Sequence, residues 1–168
     1  SWFLEIDSLF PGDFIHIGAD ETDDLGKGRS ADAVSTRGLG AVYLDFLAQV
    51  DSVLRPTGRR ILFWGDVAMR APTLVGQLPR GMIAVGWDYW SDNNFDRYLK
   101  PFRDAGMETW VAPGVNNWNR VWPDFRIALP NIRGFILAGQ QGGSTGVLNT
   151  SWDDDGEGLF NETWYGVL

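Results

Sequence analysis

Two carboxylates stand side by side at Asp20 and Glu21, reached through His16-Ile17-Gly18-Ala19 at the end of a short apolar run. Neighbouring carboxyl groups can divide acid–base work, one serving as a protonated general acid while its partner stays ionised. That division suits the cleavage of glycosidic bonds. Glycine and alanine directly before the pair leave open space around it, and in extended chain His16 shares a face with Gly18 and Asp20. Similar vocabulary closes four later apolar runs: Trp64-Gly65-Asp66, Trp87-Asp88, Asn116-Asn117-Trp118 and Trp152-Asp153-Asp154. Carboxylates, amides and indoles at the ends of successive strands are the ingredients of a polar site with apolar walls.

Other chemistries are excluded by composition. The 168 residues contain no cysteine and one histidine, so thiol nucleophiles, iron–sulfur clusters and multi-histidine zinc sites are out of reach, and neither metal nor cofactor is expected. Fourteen basic against 22 acidic side chains give a net charge of -8, which opposes a surface that tracks nucleic acid phosphates or anionic lipid. No apolar run approaches the roughly 20 residues of a membrane span. The nine tryptophans are open to two readings, stacking on sugars or bases and filling a core. At 44% hydrophobic residues the chain can bury a sizeable core, and without a linker-like or low-complexity tract residues 1–168 read as a single segment.

The elements that position these residues alternate. Phe14–Gly18 reads as a buried strand, followed by a polar loop from Asp20 to about Ser30. Leu39, Val42, Tyr43, Phe46, Leu47, Val50, Val53 and Leu54 recur at three and four, which predicts a helix that Pro56-Thr57-Gly58 stops. Strands are expected at Arg60–Trp64, Met82–Trp87, Glu108–Ala112 and Gly146–Trp152. Helical pieces are expected near Thr73–Gln77, from Phe95 to Ala105, and from about Ile127 to Ala138. Alternating strands and helices imply an α/β fold with a parallel sheet. With functional residues gathered at the strands' C-terminal ends, the pattern is that of a (β/α)8 TIM barrel. Five strand–helix units out of eight make the chain a partial barrel, roughly strands 4 to 8, and the abrupt start at Ser1-Trp2-Phe3 fits a missing upstream part.

The segment His16-Ile17-Gly18-Ala19-Asp20-Glu21 resembles the His-x-Gly-Gly-Asp-Glu signature of glycoside hydrolase family 20, the β-N-acetylhexosaminidases, with alanine at the second glycine. Trp64, Trp87 and Trp152-Asp153-Asp154 fall at family-like places. Asp154 stands where the family usually has glutamate, and Val115-Asn116-Asn117-Trp118 stands where it usually has Tyr-x-Asp. The resemblance implies a retaining exo-β-N-acetylhexosaminidase acting on terminal N-acetylglucosamine or N-acetylgalactosamine by substrate assistance, an exception to the two-carboxylate scheme. On that basis Glu21 is the general acid and base, and Asp20 orients the 2-acetamido group whose oxygen attacks the anomeric carbon. His16 positions the carboxylates, and Trp64, Asp66, Trp87, Asn117, Trp118, Trp152 and Asp154 complete the substrate-binding set. The family's early-strand arginine lies outside these residues. The expected partners are N-acetylhexosamine-containing glycans and the N-terminal part of the barrel, in an extracytoplasmic setting.

Two alternatives stay open from the residues alone: a glycosidase with Asp66 or Asp154 as base or nucleophile, and a glycan-binding part-barrel without catalysis. Other motifs carry less. Asp153-Asp154-Asp155-Gly156-Glu157 does not reproduce the spacing of a calcium loop. Gly142-Gly143-Ser144-Thr145-Gly146 matches a nucleophile elbow in letters but precedes a strand instead of following one, and reads as a turn. Asn149-Thr150-Ser151 and Asn161-Glu162-Thr163 satisfy the glycosylation sequon, and no dinucleotide or phosphate-loop glycine pattern occurs.

Overall fold

The computed structural model describes residues 2–92, 94–120 and 122–154. Five strands, β1 (Phe14–His16), β2 (Arg60–Trp64), β3 (Ile83–Trp87), β4 (Glu108–Ala112) and β5 (Gly146–Val147), follow one another in chain order in one sheet. Strand β2 pairs in parallel with β1 and with β3, and β5 pairs in parallel with β4. Helices α1 (Trp2–Leu9), α2 (Ala31–Arg37), α3 (Leu39–Leu54), α4 (Asp66–Met69), α5 (Lys100–Asp104) and α6 (Phe125–Gly142) precede, separate and join the strands. The fold is α/β with parallel strands. An order that never reverses is the connectivity of a (β/α) barrel segment, whereas a doubly wound sheet reverses at a switch point. No helix of the described residues is long and apolar enough to cross a membrane.

The described residues group into two compact units, one running to Val85 with Pro101–Glu108 added, the other comprising Gly86–Lys100 and the residues from Thr109 on. In the first unit, α3 buries Tyr43, Leu47, Val50 and Leu54, the three-and-four stripe of its sequence, in a core with Ile61, Phe63 and Phe102. Full burial of one such side chain is worth roughly 1.5 to 3 kcal/mol. The helix ends where Gly58 turns left-handed at φ 77° behind a short 3-10 turn over Arg55–Thr57. In the second unit Phe95, Leu99, Val111 and Phe135 form the core, with the Phe95 and Phe135 rings stacked at 4.8 Å. Gly139 lets α6 lie close on β4, since a Cβ there would stand 2.7 Å from the Val111 side chain.

The strand expected over Phe14–Gly18 is regular only to His16, and three further elements differ by several residues. The helix expected from Phe95 to Ala105 divides into a 3-10 turn over Phe95–Tyr98 and the short α5. The break falls at Leu99, and Pro101 lies in the first turn of α5; lacking an N–H, it cannot donate to the Arg97 carbonyl as a continuous helix would require. The strand expected at Gly146–Trp152 is regular only over Gly146–Val147, yet the pairing runs on: Leu148 N–H donates to Val111 O, Thr150 N–H to Pro113 O, and Val115 N–H to Thr150 O. The missing rung belongs to Pro113, which has no N–H. Helix α6 extends beyond its expected ends, capped by the Asp124 side chain on Arg126 N–H and by left-handed Gly143, which makes the Gly142–Gly146 motif a turn.

Candidate active site

The Asp20–Glu21 pair sits where β1 leaves its ladder. Ile17 N–H donates to Leu62 O, and regular parallel spacing would next bring Trp64 N–H onto Ile17 O. It goes to Gly18 O instead, at 2.9 Å, so one extra residue enters the edge as in a bulge. Gly18, Ala19 and Glu21 all have positive φ, 72°, 75° and 42°. Glycine adopts this region freely, but at Ala19 and Glu21 it costs about 1 to 2 kcal/mol each, the strain characteristic of functional turns.

Side chains from three elements hold that strained backbone. His16 Nδ1 accepts Gly18 N–H at 3.0 Å, Tyr43 Oη on α3 donates to Ala19 O at 2.9 Å, and Asp66 Oδ2 at the start of α4 accepts Glu21 N–H at 3.1 Å. Accepting at Nδ1 leaves the His16 proton on Nε2, which is buried without a hydrogen-bond partner among the described residues. The ring lies 4.4 Å from that of Trp64, and burial lowers its pKa from 6.5 to about 4. Burial pushes the Tyr43 hydroxyl well above its usual range, helped by the negative charges of Asp66 and Asp20, so it remains a proton donor. Among the described residues neither the Asp20 nor the Glu21 carboxylate makes a hydrogen bond or ion pair. Every clamp therefore grips the backbone and leaves both carboxylates for a ligand. An open groove of about 740 Å³, lined among others by Glu21, Thr22, Tyr43 and Phe46, lies alongside.

The second unit gathers the other expected residues. Trp87 stacks on Tyr89 with centroids 5.3 Å apart, and Trp118 meets Tyr89 at 5.1 Å and Trp90 edge-on at 6.2 Å. Trp90 is 53% exposed, so this chain of rings reaches solvent. Three amides fix the loops that carry it. Asn131 on α6, fully buried, accepts Gly114 N–H and donates to the carbonyls of Asp88 and Trp90. Asn117 Nδ2 donates to Ser151 Oγ and Trp152 O, and Asn116, at φ 55°, donates to Tyr89 O. Burial pushes the Asp88 carboxyl upward, against the backbone N–H groups of Trp90 and Tyr89, which favour its charged form.

The structure thus brings His16, Asp20, Glu21, Trp64 and Asp66 together in one unit, and Trp87, Asn117, Trp118 and Trp152 in the other. Some occupy different roles from those expected. His16 holds the turn's backbone and not a carboxylate, Asp66 holds Glu21 N–H, and Asn117 is 1% exposed and spends its amide on Ser151 and Trp152. Asp154 is exposed; Asp155, Gly156, Glu157 and the Asn161 sequon lie outside the described residues. Sequence reasoning missed Tyr43 and Asn131 as site-building residues. Each left a signal, because a polar atom inside an apolar helical stripe must find a partner.

No family model matches the chain, and no curated protein matches it. Among solved structures it is similar to one described as "A Glycoside Hydrolase Family 20 beta-N-Acetylglucosaminidase", with a TM-score of 0.41 and 18% identity over 67% of this chain. The chain spans one fifth, 20%, of that protein's length.

Proposed function

We propose that this chain supplies the catalytic carboxylates of a glycoside hydrolase, specifically a retaining exo-β-N-acetylhexosaminidase working by substrate assistance. The observation that carries the reading is the carboxylate turn: three side-chain clamps hold its backbone while Asp20 and Glu21 keep their oxygens free. Glu21 protonates the glycosidic oxygen as the bond to the anomeric carbon breaks. The substrate's acetamide oxygen attacks that carbon from the opposite side, with Asp20 accepting the acetamide N–H as positive charge develops on the oxazolinium ion. Glu21 then takes a proton from the water that opens the ring, and the starting protonation state returns. Trp64, whose ring lies beside His16 in the same unit as the carboxylates, offers an apolar wall for the sugar, where exclusion of water strengthens both carboxylates' influence; Trp87, Trp118 and Trp152 are rings of the same kind within the other unit. Strands outside these residues complete the barrel at β1 and β5, each of which has one strand neighbour among the described residues.

The deciding experiment compares aryl β-N-acetylglucosaminide with aryl β-glucoside, using the full-length protein that carries this chain. The acetamido sugar is expected to be turned over far faster, and Glu21→Gln to cost roughly 10²- to 10⁴-fold on substrates with poor leaving groups. Asp20→Asn is expected to damage the acetamido substrate selectively. Equal rates on the two sugars would overturn substrate assistance in favour of an enzyme nucleophile. Hydrolysis of neither would overturn the enzymatic reading.

A further inference from the structure

Tyr43 enters the core from α3 and is 3% exposed, yet its hydroxyl ends on the one carbonyl of the carboxylate turn that precedes Asp20. That carbonyl belongs to Ala19, a residue with a Cβ held at φ 75°. The anchors on either side are His16 and Trp64 at Gly18, and Asp66 at Glu21. Without the Tyr43 bond, the Ala19–Asp20 peptide would have no tether to the helix, and a left-handed alanine relaxes readily to ordinary conformations. We propose that Tyr43 is a positioning residue for the catalytic pair, fixing the peptide plane from which Asp20 and Glu21 project. This rests on the hexosaminidase reading for its kinetic consequence, but the anchoring itself can be read without any activity.

The test uses the full-length protein with Tyr43→Phe beside Leu47→Ala, a fully buried neighbour on the same helix face that takes no part in the turn. Tyr43→Phe is expected to lower kcat on the aryl acetamido substrate about tenfold to a hundredfold with KM nearly unchanged, the size of effect that misplaced groups produce. Leu47→Ala should lower the melting temperature more and leave kcat, measured well below melting, within about twofold of wild type. A kcat in Tyr43→Phe equal to wild type, or a matching fall in Leu47→Ala, would overturn the proposal. If the wild-type protein hydrolyses neither sugar, amide hydrogen exchange decides. Faster exchange at Gly18 and Glu21 in Tyr43→Phe, absent in Leu47→Ala, supports the anchoring, and unchanged exchange overturns it.

Discussion

The two units hold their post-strand loops by opposite means. In the first, a turn with three positive φ angles is gripped by an imidazole, a phenol and a carboxylate from three different elements. In the second, Asn131 alone ties Gly114, Asp88 and Trp90 together from inside α6, and Asn117 and Asn116 tie two further stretches. Asn131 uses its amide as donor and acceptor at once, so one buried side chain serves two loops, whereas His16 and Tyr43 each bring a single group to the turn. The lesson is a separation of purposes. Amide knots build a scaffold whose loss is paid in stability, while single clamps on a strained turn set direction.

The strongest way to break that comparison is Asn131→Ala. It orphans one buried N–H and two carbonyls, each costing about 1 to 3 kcal/mol, so the full-length protein should lose roughly 3 kcal/mol or more in denaturant unfolding. A loss below about 1 kcal/mol would mean the loops hold themselves, and the scaffold role would fall.

Next in size is the pH dependence carried by His16. Its pKa is about 4 in the folded chain and 6.5 when exposed, so between these values the unfolded state binds more protons and acid favours unfolding. The imidazole's contribution is fully present above about pH 6.5 and is lost progressively as the pH falls toward 4. Unfolding measured at pH 7 and pH 4.5 should show wild type losing on the order of 1 to 2 kcal/mol more than His16→Asn, after allowing for the ring's partial contact with solvent. Asparagine can still accept Gly18 N–H but does not titrate. Equal losses would show that the imidazole titrates alike in the folded and unfolded chain and is not held neutral by burial.

Legibility in the sequence follows the same division. Strands Arg60–Trp64 and Glu108–Ala112 and helix Leu39–Leu54 have the extents that apolar period and turn residues predict, because burial and local propensity agree there. Pro101 and Pro113 shortened neighbouring elements because a missing N–H acts on the partner segment as well as on its own. The pair Asp20–Glu21 was legible as chemistry. Its clamps were not, because Tyr43 and Asp66 lie 24 and 45 residues away from the atoms they hold, and one-dimensional spacing contains no such distance.

The smallest effect sharpens the comparison most. Glu21 N–H lies at the surface, so when Asp66 is removed water can replace its oxygen, and Asp66→Ala should cost less than about 1 kcal/mol of stability. The same change frees the backbone of the general acid, and kcat should fall by about three- to tenfold. Asp66→Asn keeps an acceptor oxygen and should retain most of the activity. Positioning and chemistry part ways here. If Asp66→Asn instead abolished turnover as completely as Glu21→Gln, a carboxylate charge at residue 66 would be needed for the reaction, and Asp66 would have to be moved from the clamp to the nucleophile or base.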